Sequence, residues 1–187
     1  MRKIIAVIGD GKIEQGSFKY KLAFETGKAL VDAGYRVQSG GLGGVMEAVF
    51  QGARASEKYQ EGDTVAIIPS FDRTTANQYA DIVIPTGLDI MRNALVANAD
   101  AVIAIGGGAG TLSEMALAWS LYRLLIAYQN IDGWSAELAG RKLDNRTRYE
   151  GIDDKVYGID EPQQAVELID RLLVTYNRYH HGIGYKK

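Results

Sequence analysis

The sequence predicts an α/β fold in which one parallel sheet lies between two layers of helices. Short β-branched runs alternate along the chain with longer amphipathic runs, which is the pattern of parallel strands joined by crossover helices. Most of the strand runs end at glycines or prolines, and such sheets bind ligands at these strand ends. The 187 residues are 47% hydrophobic and 24% charged, which fits one compact domain with a sizeable core.

The first half of the chain predicts four strands and three helices. In order they are strand Lys3–Ile8, helix Ser17–Ala33, strand Tyr35–Gln38, helix Val45–Ser56, strand Thr64–Ile68, strand Ile82–Ile84 and helix Leu88–Asn98. Pro69 and Pro85 end the last two of these strands, because proline lacks the N–H that a strand ladder needs. The polar loop Ser70–Tyr79 is long for a simple connection, so we expect it to fold over a ligand.

The second half predicts the remaining elements of a doubly wound, three-layer, Rossmann-like sheet. They are strand Ala101–Ile105, helix Leu112–Leu121, strand Arg123–Tyr128, a helical turn at Ser135–Leu138, strand Lys155–Tyr157 and a closing helix that begins at Pro162. The run from Arg123 is open to a second interpretation, a continuation of the preceding helix. We assign residues 1–175 to a single Rossmann-like domain and residues 176–187 to a polar C-terminal tail.

Composition excludes several classes of function. The chain has no cysteine, which rules out disulfides and thiolate metal sites, and its two histidines, His180 and His181, lie side by side in the polar tail. We therefore predict no metal site and no histidine catalysis. No apolar run approaches the roughly 20 residues that span a bilayer, and the first residues do not form a signal peptide. A cytoplasmic protein without membrane partners is expected.

Glycines follow three predicted strands, which places them at one edge of the sheet. A backbone without side chains can turn its N–H groups toward an anion, and a following helix adds the positive end of its dipole. The predicted phosphate-binding residues are Gly9, Asp10, Gly11, Ser39, Gly40, Gly41, Gly43, Gly44, Gly106, Gly107, Gly108, Ala109, Gly110 and Thr111. The alternative is that these glycines serve only tight turns and close packing. With a net charge of -2, the expected partner is a small phosphorylated molecule and not a nucleic acid.

The two commonest nucleotide motifs are both incomplete. The dinucleotide pattern GxGxxG fails because its third glycine is replaced by Glu14, Met46 or Thr111 at the three junctions. The Walker pattern fails because no lysine lies between Gly16 and Ser17. Classical NAD binding and ATP hydrolysis are therefore not predicted.

Three polar residues accompany the last glycine junction. Arg92 and Asn93 lie on the helix before it, and arginine binds phosphate through two parallel hydrogen bonds. Arg92 can also be an ordinary surface cation. Glu114 follows the glycines, and the run TLSE from Thr111 matches a helix capping box. If Glu114 has a function instead, it should face an uncharged part of the ligand, because phosphate would repel it.

The run GGGAGTLSE, residues Gly106–Glu114, resembles the PGGxGTxxE signature of the LONELY GUY-like (SLOG) Rossmann superfamily, once labelled possible lysine decarboxylases. It matches everywhere except the leading proline, and the resemblance covers about residues 3 to 170. For the cytokinin-activating members the resemblance implies hydrolysis of the N-glycosidic bond of a nucleoside 5′-monophosphate, with Glu114 and Arg92 as catalytic residues. Asp10 or Asp89 would supply a second carboxylate. No lysine lies beside a histidine, so lysine decarboxylase activity is not expected.

The run ADAVIAIGGGAGTLSE is most similar to the branch that contains molybdenum cofactor carrier proteins. This similarity implies a protein that holds a phosphate-bearing pterin and needs no cofactor of its own. We expect a binding or carrier protein for a nucleotide or the molybdenum cofactor, with phosphoribohydrolase activity or a ligand-sensing role as alternatives. The resemblance also implies a homodimer or homotetramer. Candidate interface residues are Trp119, Tyr122 and Trp134, and core packing explains these aromatics equally well.

Overall fold

The computed structural model describes residues 1–182, and in that part of the chain seven parallel strands form one sheet. The strands are β1 (Ile4–Gly9), β2 (Arg36–Ser39), β3 (Thr64–Ile68), β4 (Ile82–Pro85), β5 (Ala101–Ile105), β6 (Leu124–Tyr128) and β7 (Tyr157–Ile159). Their order in space is β4-β3-β2-β1-β5-β6-β7, so the chain winds outward from β1 in one direction and then from β5 in the other. The predicted doubly wound α/β fold is confirmed.

Helices cover both faces of the sheet. They are α1 (Phe18–Asp32), α2 (Val45–Arg54), α3 (Asn93–Ala97), α4 (Ala109–Ser120), α5 (Trp134–Leu138) and α6 (Pro162–Leu172). Helices α1, α2 and α6 bury one face of the sheet, while α3 and α4 bury the other. Helices α1 and α2 touch closely because Gly27 and Gly52 lie at their contact, where any Cβ atom would clash with the facing backbone.

Three predicted elements are displaced in the structure, and one of them is α4, which begins at Ala109 instead of Leu112. The expected helix Leu88–Asn98 is a 3₁₀ turn over Asp89–Arg92 followed by the short helix α3, because Asp89 has a positive φ of 49° that an α-helix cannot contain. We call this 3₁₀ turn the Arg92 turn. The last strand lies two residues later than predicted, at Tyr157–Ile159. The run Leu124–Tyr128 is a strand, as expected.

A buried arginine holds the polar segment between β6 and β7 against the domain. Arg148 is 2% exposed and donates hydrogen bonds to both carboxylate oxygens of Asp154, at 2.8 and 2.6 Å. Its guanidinium also lies 3.6 Å from the ring centroid of Trp119. The Tyr176 hydroxyl donates to Asp154 at 2.6 Å, and this tyrosine is 4% exposed although it belongs to the predicted tail.

The remaining sequence predictions concern absences and the tail. No helix within residues 1–182 combines the length and apolar character that a membrane span requires. In the same part of the chain, no group of three acidic or histidine side chains is arranged to hold a metal ion. His180 and His181 are exposed. The rest of the predicted tail, residues 183–187, lies outside the described residues.

Candidate functional site

A cavity of about 290 Å³ opens at the C-terminal edge of the sheet, where β1 and β5 lie side by side and the winding direction reverses. Open α/β sheets bind ligands at this position. The cavity wall includes ten predicted site residues, which are Gly9, Asp10, Gly11, Gly40, Arg92, Asn93, Gly108, Gly110, Thr111 and Glu114. Ile8 and Met46 complete it as apolar contacts. The three glycine junctions therefore converge, as parallel strand ends must.

Seven other predicted residues do not line the cavity. They are Ser39, Gly41, Gly43, Gly44, Gly106, Gly107 and Ala109. Gly44 and Gly106 have positive φ values of 67° and 65°, and a Cβ atom on either would clash with Asp10. The backbone that places Asp10 therefore requires glycine at these two positions. This agrees with the alternative that the glycines serve tight turns and close packing.

The first amides of the triple-glycine loop are occupied by protein acceptors. Gly106 donates its N–H to Ser135 Oγ at 2.8 Å, and Gly107 donates its N–H to Asp10 Oδ2 at 3.0 Å. The next four N–H groups, from Gly108 to Thr111, have no acceptor within residues 1–182. They form the N-terminus of α4, where unpaired N–H groups and the helix dipole favour an anion. The donors free for a ligand therefore start at Gly108.

Arg92 is buried beside these free amides. It is 9% exposed, and its Nη1 donates to Glu114 Oε1 and to Asn93 Oδ1, both at 2.8 Å. Asn93 in turn donates to Ser113 Oγ at 2.7 Å, which ties the Arg92 turn to α4. Arg92 Nε is buried and, among the described residues, neither Nε nor Nη2 has a hydrogen-bond partner. The guanidinium thus keeps unused donors next to the cavity.

The carboxyl group of Glu114 pairs with Arg92 and does not cap a helix. Helix α4 begins at Ala109, after Gly108 in the N-cap position, and has no side-chain cap. The predicted capping box is therefore wrong, because the helix starts before Thr111. Glu114 is 7% exposed, and burial raises its pKa to about 7 although Arg92 acts in the opposite direction.

The stability contribution of Glu114 is expected to depend on pH. Its pKa rises from an ordinary value of 4.5 to about 7 on folding, so the folded protein binds more protons than the unfolded chain between these values. The contribution is fully present below pH 4.5 and is lost as the pH rises through about 7. Relative to Glu114→Gln, the wild type should lose on the order of 3 kcal/mol of unfolding free energy across this window.

Urea unfolding of both proteins at several pH values from about 4 to 8 measures this difference. Glu114→Gln keeps an oxygen for Arg92 but cannot titrate, so it isolates the contribution of one carboxyl group. Stability curves that run parallel for the two proteins would contradict a raised pKa.

Sequence reasoning missed two residues that support the site and misassigned one loop. Lys19 on α1 donates to Asp10 Oδ2 at 2.6 Å, and Ser135 holds the Gly106 amide; neither residue has a sequence signal that places it there. The Ser70–Tyr79 loop does not line the cavity. Asn77 instead donates to the backbone oxygens of Gly41 and Leu42, at 2.8 and 2.9 Å, and so supports the second glycine turn.

The sequence matches one family model along most of its length. The model of the SLOG cluster4 family matches residues 2–165. A protein of Archaeoglobus fulgidus, described only as uncharacterised, is 39% identical over 115 residues, which are 61% of this chain and 72% of that protein.

Two solved structures of molybdenum cofactor proteins are similar to this chain. The molybdenum cofactor binding protein from Rippkaea orientalis is 32% identical with a TM-score of 0.74, over 92% of this chain and 98% of the other. The molybdenum cofactor carrier protein from Chlamydomonas reinhardtii is 26% identical with a TM-score of 0.72, over 92% and 99% of the two chains. The family-model match over residues 2–165 shows that the chain belongs to the SLOG cluster4 family.

Proposed function

We propose that this protein binds a phosphate-bearing nucleotide or molybdopterin-type ligand in the cavity and holds it as a binding or carrier protein. The observation that carries the proposal is the buried Arg92 guanidinium, whose Nε and Nη2 have no partner among the described residues. Nε is a buried charged donor, and leaving it without an acceptor is costly unless a ligand supplies one. Three of the four residues with free amides, Gly108, Gly110 and Thr111, line the same cavity and complete an anion site.

The size of the cavity and the similar proteins support this assignment. A volume of about 290 Å³ accommodates a phosphate with a sugar-sized group, and a larger heterocycle would extend beyond it. The similar proteins from Rippkaea orientalis and Chlamydomonas reinhardtii bind or carry the molybdenum cofactor according to their names. We place the protein in the cytosol and assign it no nucleic-acid or membrane partner.

Isothermal titration calorimetry with inorganic phosphate, AMP, GMP and isolated molybdopterin tests the proposal. Saturable binding of at least one phosphate ester, with a 1:1 stoichiometry per chain, is the expected result. If none of these phosphorylated probes binds at millimolar concentration, the proposed function is wrong.

A second candidate function is phosphoribohydrolase activity, and the environment of Glu114 favours it. A carboxyl group with a pKa of about 7 is partly protonated at neutral pH, so it can exchange a proton with a reacting group. Asp10 also lines the cavity, whereas Asp89 is exposed on the Arg92 turn and does not. Incubation with AMP followed by chromatography for free adenine tests this candidate. No released base, or equal release by Glu114→Gln, would exclude it.

We also propose that the chain forms a homodimer or homotetramer through an apolar surface beside the site. We call it the β4 surface; its exposed side chains are Phe71, Ile82, Ile84, Leu88, Ile90 and Met91. Strand β4 is an edge strand of the sheet, and an exposed apolar edge favours association. Of the candidate interface aromatics, Trp119 is 1% exposed and belongs to the core, which agrees with the alternative of core packing for this residue.

Charges on the β4 surface are expected to separate the subunits. The double variant Ile90→Asp with Met91→Asp should be monomeric by size-exclusion chromatography with light scattering, because burying two carboxylates opposes association. Val174→Asp is the matched control, since Val174 is 75% exposed on another part of the surface. A monomeric wild type, or an oligomeric double variant, would contradict the proposal.

A further inference from the structure

Asp10 places a carboxylate in the cavity that we propose to bind phosphate, and one of its two oxygens is free. Oδ2 accepts hydrogen bonds from Lys19 Nζ at 2.6 Å and from the Gly107 N–H at 3.0 Å. Oδ1 has no partner in the part of the chain that the structure describes and is not a buried atom. The side chain is 28% exposed and lines the cavity. Asp10 is therefore held in place through Oδ2, while Oδ1 remains able to accept a hydrogen bond from a ligand.

The surrounding backbone is shaped to hold this carboxylate. The Asp10 carbonyl oxygen accepts the Val45 N–H at 2.9 Å, at the start of α2. Gly44 and Gly106 have positive φ values, and side chains at either position would clash with Asp10. Gly106, Lys19 and the Gly107 amide thus converge on the Asp10 carboxylate, while Gly44 makes room for the backbone of the same residue. A purely solvated aspartate needs no such arrangement.

The same contacts decide where an anion can lie. The Gly107 amide already donates to Asp10 Oδ2, and a carboxylate repels phosphate. The phosphate therefore belongs at Arg92 and at the amides from Gly108 onward. Glu114, the other carboxyl group of the cavity, is paired with Arg92. An ionised carboxylate only accepts hydrogen bonds. The part of a ligand that meets Asp10 must therefore carry a donor.

We propose that Asp10 is a specificity-determining residue that accepts a hydrogen bond from a hydroxyl or N–H group of the phosphorylated ligand. The cavity then selects phosphate esters that carry such a donor over phosphate alone. This inference rests on the proposed function, because it concerns the part of the same cavity that contacts the ligand beyond its phosphate. The donor has two sources, a sugar hydroxyl or an N–H group of a heterocycle.

The variant Asp10→Asn tests the inference because it replaces one hydrogen-bond acceptor with a donor and keeps the shape of the side chain. Its amide oxygen can still accept from Lys19 and the Gly107 N–H, which leaves the NH₂ group where Oδ1 was free. Calorimetric dissociation constants are measured for inorganic phosphate, ribose 5-phosphate and AMP. In the wild type we expect the esters to bind more tightly than phosphate. In Asp10→Asn this preference should fall by at least about tenfold, while phosphate itself binds equally or more tightly.

The probes distinguish the two sources of the donor. If the preference over phosphate is already lost with ribose 5-phosphate, the donor is a sugar hydroxyl. If it is lost only with AMP, the donor belongs to the heterocycle. Either result supports the inference. Asp89→Asn is the matched control, because it removes one negative charge at an exposed residue outside the cavity and should leave the preference unchanged. Asp10→Ser, which adds no volume, is a second variant with the same expected loss if Asp10→Asn unfolds.

An unchanged preference in the Asp10 variants would overturn the inference and leave the proposed function standing. So would an equal weakening of phosphate and its esters, because that result indicates a general disturbance of the cavity. A wild type that binds none of the probes would overturn the proposed function and this inference together. Thermal unfolding of each variant confirms that the comparison is made on folded protein.

Discussion

Replacing Arg92 with alanine is expected to weaken the binding of phosphate esters by at least about 100-fold, because two charge-assisted hydrogen bonds to phosphate are lost. Nε and Nη2 of this guanidinium are unpaired among the described residues, and no other lysine or arginine of that part of the chain lines the cavity. Arg92→Lys should recover only part of the affinity, since an ammonium group keeps the charge but lacks the planar fork of donors that a guanidinium offers to phosphate. Calorimetry with AMP measures each loss.

The stability of Arg92→Ala separates the role of Arg92 in anion binding from its role in pairing with Glu114. Without Arg92, nothing opposes the effect of burial on Glu114, so the pKa of this carboxyl group should rise further above 7. The variant should then lose more stability at alkaline pH than at acidic pH. Arg73→Ala, in the exposed turn Arg73–Thr75, is the control for removing an arginine and should bind AMP normally. Binding by Arg92→Ala within about threefold of wild type would refute the anion site.

Replacing Asp154 with alanine should destabilise the domain by about 3 to 5 kcal/mol, because it leaves the buried charge of Arg148 without its partner. Both oxygens of Asp154 accept from this guanidinium, and the Tyr176 hydroxyl donates to the same carboxylate. The variant should also loosen the segment between β6 and β7, which Arg148 holds against Trp119. Urea unfolding measures the free energy, and limited proteolysis detects a loosened segment.

An exposed ion pair two residues away provides the control. Arg146 pairs with Asp144, and the two side chains are 56% and 35% exposed. Arg146→Ala should change the stability by less than about 1 kcal/mol, because solvent screens such pairs. The double variant Arg148→Met with Asp154→Leu should regain part of the loss, since no unpaired charge remains buried. A cost below about 1 kcal/mol for Asp154→Ala would show that the buried pair is not required.

Local patterns predicted the sheet well because parallel strands are short apolar runs bounded by glycine and proline. Strands β3 and β5 have the predicted bounds, and the glycine junctions converge since the C-terminal ends of parallel strands share one edge. The predictions failed where distant contacts overrule local preference. The TLSE run has the residues of a capping box, but α4 begins before it and the carboxyl group of Glu114 turns to Arg92.

By itself, the sequence determined the α/β class, the positions of the glycine turns and the presence of Arg92 and Glu114 near one of them. Only the tertiary structure decided their chemistry. It paired Arg92 with Glu114 across 22 residues and placed Asp10 on the Gly107 amide across 97. The physical reason is that backbone preferences are local, whereas burial, pKa and unused hydrogen-bond donors depend on which residues packing brings together.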